Sequence, residues 1–168
     1  MTISPFESFI SGALHPVYGL DHILAMIVVG VWALQIGGRA IWAVPTGFVT
    51  SMALGFVFAR LGLPLPYVEP VIIASSIILG LCVLASITPS IAVAIALASF
   101  FGLFHGYAHG TELGEALPFT FGLGFVLMTA VLHAFGLVLA SFMTRAHAFA
   151  PRLLGGVSTL LGLSLLFG

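Results

Sequence analysis

The sequence predicts an all-α integral membrane protein with about six transmembrane helices and a short N-terminal interfacial helix. Hydrophobic residues make up 61% of the 168 residues and charged residues only 5%, whereas soluble domains have roughly 25% charged residues. Four basic and five acidic side chains are too few to cover a water-soluble globule of this size. The apolar residues also fall into runs long enough to cross a bilayer. We expect a single transmembrane domain over residues 1–168.

The first predicted element is a short helix that begins after Ser4. Ser4 and Glu7 fit a capping box, and Pro5 stands at the first helical position. From Phe6 to Leu14, apolar residues recur at helical spacing and give one apolar face. A span needs about 20 residues, so we expect this shorter helix to lie at the membrane interface.

Six apolar segments follow, separated by turn-forming residues. The predicted spans cover about residues 16–34, 40–59, 66–86, 89–112, 117–143 and 151–167. With the N-terminus outside, the inner loops hold Arg39, Arg145 and Arg152, and the outer loops hold only Arg60. Because basic loops tend to stay in the cytoplasm, the sequence predicts a multi-pass protein of the bacterial cytoplasmic (inner) membrane with its N-terminus outside.

Ionisable side chains concentrate near the outer ends of spans one, three and four. They are His15, Asp21 and His22 in span one, Glu69 at the start of span three, and His105, His109 and Glu112 near the end of span four. Intramembrane ionisable residues are rare and usually functional. The predicted topology brings all seven to one side of the membrane, so we interpret them as candidate ligands of a metal ion.

The stretch "FHGYAHGTE", residues 104–112, carries the densest signal. His105, His109 and Glu112 follow each other at intervals of four and three, which places them on one face of a helix. Glycines recur at spacing four beside them and favour close approach of a neighbouring helix. These glycines are Gly102, Gly106, Gly110 and Gly114.

The stretch "HPVYGLDH", residues 15–22, places two histidines seven residues apart. On a regular helix His15 and His22 would lie about 10 Å apart along the axis. They reach one ion only if the backbone bends, for which Pro16 and Gly19 are suited, and otherwise they serve successive sites. Asp21 has three possible roles: it binds the metal ion, it orients His22, or it is a carboxylate that stabilises the start of a helix.

The types of side chain limit which ion is bound. Imidazole and carboxylate without thiolate suit nickel, cobalt or zinc. The single cysteine, Cys82, lies in an apolar run and is expected to pack there. His133 is also expected to be a packing residue, with its ring nitrogens satisfied by hydrogen bonds. Glu69 fits a helix-start carboxylate as well as it fits a ligand. The net charge of −1 gives no sign of a nucleic-acid partner.

Both histidine motifs resemble signatures of the HupE/UreJ family of nickel/cobalt permeases, H-x5-D-H and F-H-G-x-[AV]-H-G-x-E. Their order and the six-span layout agree over essentially the whole chain. The resemblance implies secondary uptake of nickel, or of cobalt, as a transported substrate with no organic cofactor. It assigns His15, Asp21 and His22 to the first motif and His105, His109 and Glu112 to the second, whereas Glu69 belongs to neither motif.

Three functions compete at this point. The leading hypothesis is a permease, and not an enzyme, that takes up divalent nickel or cobalt through these ligands. The alternative is an intramembrane zinc-dependent lipid hydrolase, since a His/Asp cluster near a membrane face also suits a catalytic metal. The third is a structural subunit whose histidines bind nothing. The sequence leaves open the preferred ion, the number of metal sites, the energy coupling and whether the chain forms a homo-oligomer.

Overall fold

A computed structural model describes residues 3–167, except for the side chain of Asp21. The described chain is all helical and contains no strand. Its helices are α1 (Pro5–Leu14), α2 (Leu20–Ile36), α3 (Ala40–Arg60), α4 (Val68–Leu84), α5 (Ile91–Thr111), α6 (Pro118–Ala146) and α7 (Ala150–Phe167). The predicted class is therefore confirmed, and each predicted apolar segment coincides, to within a few residues at its ends, with one α-helix.

Helix length decides which elements can cross a bilayer on their own. Among the described residues, α3, α5, α6 and α7 are long and apolar enough to span. The first two helices become a fifth span when they are taken together as one bent element. Helix α4 has 17 residues and is a shorter apolar helix, about 25 Å long at 1.5 Å per residue. The chain is a multi-pass membrane protein.

The N-terminal helix begins with the predicted capping box. The Ser4 hydroxyl accepts the Glu7 backbone N–H, and the Ser4 backbone N–H donates to the Glu7 carboxylate at 2.8 Å. Helix α1 packs closely on the first turns of α6, where Gly12 lies against the Phe121 carbonyl. The Ser8 hydroxyl accepts the Leu117 backbone N–H at 3.0 Å. These contacts anchor α1 to α6, and its position at the membrane interface stays a prediction.

The chain bends sharply between α1 and α2, inside the first histidine motif. A 3₁₀ turn, His15–Val17, follows α1, and Gly19 has an extended backbone before α2 begins. The segments on either side of the break meet at 74°. Pro16 is compatible with the first turn of such a helix but cannot donate a backbone hydrogen bond. The bend places His15 and His22 on two differently directed helices.

Glycines let α3 and α5 pack with their backbones almost in contact. A Cβ atom at Gly102 would collide with the Phe48 carbonyl, and one at Gly106 would collide with the Met52 carbonyl. Gly114 does not belong to this ridge. It lies in the turn after α5 with φ of +58°, where glycine is favoured for its conformational freedom.

Replacing Gly106 with alanine is expected to destabilise the protein. The added methyl group forces α3 away from α5, and overpacking of this kind costs about 1–3 kcal/mol. Thermal unfolding in detergent measures the effect. Gly156→Ala is the matched control, because its Cβ would meet only the Leu84 side chain at an ordinary 3.7 Å. Equal stability of the two variants would contradict the close packing of α3 on α5.

The two ends of the bundle differ in charge. At one end of the bundle, α5 ends and α2 and α6 begin. At this end the guanidinium of Arg60 donates a hydrogen bond to the Gly110 carbonyl at 3.4 Å. This contact satisfies a carbonyl at the C-terminus of α5. The other three arginines, Arg39, Arg145 and Arg152, lie in or beside the turns at the opposite end.

Candidate metal site

Five of the predicted ligands meet at the end of the bundle where α5 stops. We call His15, His22, His105, His109 and Glu112 the histidine cluster. His15 lies at the bend after α1, His22 lies in the first turn of α2, and the others lie on the last turns of α5 and just beyond it. The bend between α1 and α2 is what allows both histidines of "HPVYGLDH" to reach His109, with ring centroids 4.7 and 4.6 Å away.

The cluster contains two overlapping groups of potential ligands. One group is His22, His105 and His109, and the other is His15, His109 and Glu112. Within each group, one ligand atom from each residue lies within 4.8 Å of the others. Bonds of about 2.1 Å join ligand atoms up to about 4.2 Å apart, so small side-chain rotations would close either group around an ion. His109 belongs to both.

Glu112 is the exposed member of the cluster. Its carboxylate accepts a hydrogen bond from His15 Nε2 at 3.1 Å, and the same oxygen lies 3.3 Å from His109 Nδ1. The contact with His109, followed by that with His15, lowers the pKa of Glu112 to about 2. The carboxylate therefore keeps its negative charge near neutral pH. It is half exposed and accessible from outside the bundle.

The inner part of the cluster is buried among aromatic rings. His105 and His109 are 0% and 2% exposed, and the rings of Phe121 and Phe125 pack on His15 and His109. Neither ring nitrogen of His109 makes a well-aligned hydrogen bond with the described residues, although Nδ1 lies 3.3 Å from the Glu112 carboxylate. A neutral imidazole whose Nδ1–H faces Glu112 carries its lone pair on Nε2, which makes this atom a candidate metal ligand.

The contacts of Ser75 indicate the tautomer of His105. The Ser75 hydroxyl donates to the Ile72 carbonyl at 2.6 Å and lies 2.9 Å from His105 Nε2. A hydroxyl has one proton, and here the Ile72 carbonyl takes it, so His105 Nε2–H must donate to Ser75. The lone pair of the neutral ring is then on Nδ1. Partners of this kind orient metal-binding histidines and raise their basicity.

Ser75 was not among the predicted site residues. The available signal was the pair Ser75-Ser76 in the middle of an apolar segment, because a polar side chain there needs a partner. The sequence does not show that the partner is His105, since the pair is separated by 30 residues.

Two predicted ligands are not among these five residues. The side chain of Asp21 is outside the described part of the structure. Glu69 is exposed in the first turn of α4 and belongs to neither group, although it lies at the same end of the bundle. Two other residues are separate from the site: Glu115 is exposed in the turn after α5, and His147 accepts the Phe149 backbone N–H in a loop at the opposite end.

The donors of the cluster are imidazole nitrogens and carboxylate oxygens. This set suits divalent ions of intermediate softness and disfavours copper(I), which prefers sulfur. The carboxylate is exposed whereas two of the imidazoles are buried, so an ion arriving from the aqueous side meets the charged ligand before the buried ones. The fold and the cluster together define a multi-pass membrane protein with a histidine–carboxylate cluster at one end of its helical bundle.

Comparison with known proteins identifies the family. A family model described as "HupE / UreJ protein" matches residues 2–165. Protein HupE of Rhizobium leguminosarum bv. viciae is 41% identical over 166 residues, which cover 96% of this chain and 86% of that protein. No solved structure matches the chain. The chain belongs to the HupE/UreJ family, a family of nickel and cobalt uptake proteins.

Proposed function

We propose that this protein is a permease that carries divalent nickel, and also cobalt, across the bacterial cytoplasmic membrane into the cell. The observation that supports this proposal best is the position of the histidine cluster, which joins an exposed carboxylate to buried imidazoles at one end of the bundle. We assign the ligands as His15, His22, His105, His109 and Glu112, with Asp21 as a sixth from the motif. Glu69 stays a predicted ligand from the same end of the bundle.

The orientation of the chain supports entry at the cluster. Three of the four arginines are at the opposite end of the bundle, and the positive-inside rule assigns that end to the cytoplasm. The cluster then faces the periplasm or the external medium. An inside-negative potential favours entry by about 2.3 kcal/mol per charge per 100 mV, hence about 4.6 kcal/mol for a divalent ion.

Selectivity follows from the donors that replace water. Imidazoles substitute for part of the hydration shell of the ion, and the exposed carboxylate offsets the charge during that exchange. Transport also requires that the ion leave, so the binding must be strong enough to select the ion and weak enough to release it. A cluster with two overlapping groups provides this, because an ion bound to His109 can exchange the ligands of one group for those of the other.

Accumulation of radiolabelled nickel tests the proposal. Cells that express the chain are compared with cells that carry an empty vector, and radiolabelled cobalt is measured in parallel. We expect accumulation only in the expressing cells. Equal accumulation of both ions in both cell types would overturn the permease proposal, and lipid hydrolysis by the purified protein would then be measured.

Replacing Ser75 with alanine is expected to weaken nickel binding without unfolding the protein. The variant removes the acceptor of the His105 Nε2–H, and loss of such an orienting partner lowers metal affinity by about 10- to 100-fold. Equilibrium dialysis of the purified protein against radiolabelled nickel measures the affinity. Ser75→Thr keeps the hydroxyl and is expected to restore most of it.

Ser76→Ala is the matched control for this prediction. Ser76 is the next residue of α4 and is 1% exposed, and its hydroxyl has no hydrogen-bond partner among the described residues. Its removal tests the general effect of losing a buried hydroxyl from α4. Equal nickel affinity of the Ser75→Ala and Ser76→Ala proteins would show that Ser75 does not orient His105.

A further inference from the structure

His133 lies in the middle of α6, away from the histidine cluster. Its side chain is 1% exposed, and neither ring nitrogen has a hydrogen-bond partner among the described residues. The sequence predicted that its polar atoms would be satisfied, and the structure contradicts that expectation. A neutral imidazole always has one N–H, and a buried donor without a partner is destabilising. Among the described residues, none supplies the partner that this imidazole requires.

Thr129 repeats this pattern one turn earlier on the same face of α6. It is 0% exposed, and its hydroxyl has no hydrogen-bond partner among the residues described. Threonine in a membrane helix commonly bonds to a carbonyl of the preceding turn, as Thr144 does with Ala140. Thr129 and His133 together present a hydroxyl oxygen and an imidazole nitrogen in the interior of the bundle, and neither has a hydrogen-bond partner in the described ranges.

A continuous series of rings connects the cluster to His133. The ring of His22 lies 5.4 Å from that of His105, which lies 5.6 Å from Phe48, and Phe48 lies 5.1 Å from His133. The depth of His133 follows from α6. Phe125 packs on His109, and His133 is eight residues farther along, or about 12 Å deeper.

A cavity at the opposite end of the bundle continues this line. It has a volume of about 530 Å³ and is lined in part by Gln35, Ala140, Ser141 and Thr144. Ala140 lies seven residues beyond His133, on the same face of α6 and about 10 Å farther along the axis. The Gln35 side-chain oxygen has no hydrogen-bond partner in the described part of the chain. His133 therefore lies between the cluster and a cavity, partly lined by polar side chains, at the end where three arginines are found.

We propose that His133, together with Thr129, is a second binding station for the divalent metal ion, between the cluster and this cavity. The proposal rests on the proposed transport function and adds a site to it. One imidazole and one hydroxyl bind a nickel-class ion more weakly than the ligands of the cluster, and water molecules complete its coordination. From the cluster the ion moves to this weaker site, and from there it is released inward, because conduction requires sites from which the ion can leave.

His133→Leu is the variant that tests the second station. Leucine has a similar volume but cannot bind a metal ion. Nickel binding is measured by equilibrium dialysis of the purified full-length protein against radiolabelled nickel. We expect the variant to bind nickel at the cluster with unchanged affinity and to lose the second, weakly bound nickel ion. The initial rate of nickel uptake into proteoliposomes is expected to fall about tenfold, which is the effect of a barrier raised by about 1.4 kcal/mol. Thr129→Val is expected to slow uptake in the same direction by a smaller factor.

Each alternative gives a different result. If His133 only packs, His133→Leu removes unpaired polar atoms and leaves uptake at the wild-type rate, which would overturn the proposal. If His133→Leu loses both tight nickel binding and nickel uptake, the proposal is also overturned, since His133 would then support the cluster itself. If His133→Leu yields no folded protein, Thr129→Val decides by the same two measurements. Wild-type protein that takes up no nickel would instead overturn the proposed function, before any variant is compared.

Discussion

His109→Ala is expected to abolish nickel uptake and to lower the nickel affinity of the purified protein by more than about 100-fold. His109 is shared by both groups of potential ligands, so its loss leaves neither group with three. Loss of a partner that only orients a metal-binding histidine lowers affinity by about 10- to 100-fold, and loss of a ligand is expected to exceed that range. Equilibrium dialysis with radiolabelled nickel measures this affinity.

The His109 ring also packs on Phe125, so the variant must be shown to be folded. His109→Gln fills more of the space and separates loss of a ligand from loss of packing. His147→Ala is the control for loss of a histidine, because His147 lies in an exposed loop at the other end of the bundle. Nickel binding by His109→Gln that is as tight as that of His147→Ala would contradict the ligand role.

Glu112→Gln is expected to slow nickel uptake by about tenfold or more. The substitution keeps the shape of the side chain but removes the charge that faces His15 at 3.1 Å and His109 at 3.3 Å. Hydrogen bonds to a charged group contribute about 1.5–3 kcal/mol, which corresponds to a factor of ten or more. The initial rate of radiolabelled nickel uptake, at matched membrane levels of protein, measures the effect.

Glu115→Gln is the matched control for the charge. Glu115 is exposed three residues farther along and belongs to neither group of ligands. Both variants lose one negative charge near the same end of the bundle, so any general attraction of cations falls equally. Uptake that slows to the same extent in both would show that Glu112 acts through its field and not as a ligand.

The helices were predictable because their signals are local. Ser4 and Glu7 form the capping box that their spacing indicates, and the apolar segments between turns became helices. The glycine spacing of "FHGYAHGTE" also predicted a close helix contact, which α3 provides through Met52. Gly114 was the exception, because the helix ends at Thr111 and a repeat in the sequence does not show where a helix stops.

The composition of the cluster followed from two motifs, but its geometry did not. The seven-residue interval between His15 and His22 fits either one site or two successive sites on a regular helix. The bend at the 3₁₀ turn brings both rings against His109, although His15 and His22 fall in different groups of potential ligands. The order of the helices placed Glu69 at the correct end of the bundle but could not show that it lies apart from the cluster.

Two features depend on tertiary packing, because the sequence does not show which side chains become neighbours. Ser75 contacts His105 only because α4 packs beside α5. The Ser75 hydroxyl donates its proton to the Ile72 carbonyl, so its oxygen accepts from His105. His133 looked like a histidine with satisfied polar atoms. Its lack of partners among the described residues becomes visible only when every neighbouring helix is in place.

The most direct test of the central claim is the position of a bound nickel ion. Anomalous diffraction at the nickel absorption edge, from crystals of the wild-type protein soaked in a nickel salt, gives that position. We expect the strongest peak among the side chains of His15, His22, His105, His109 and Glu112, about 2.0–2.2 Å from imidazole nitrogens. A strongest peak elsewhere, for example at the exposed His147, with none at the cluster, would contradict the assignment of the cluster as the metal site.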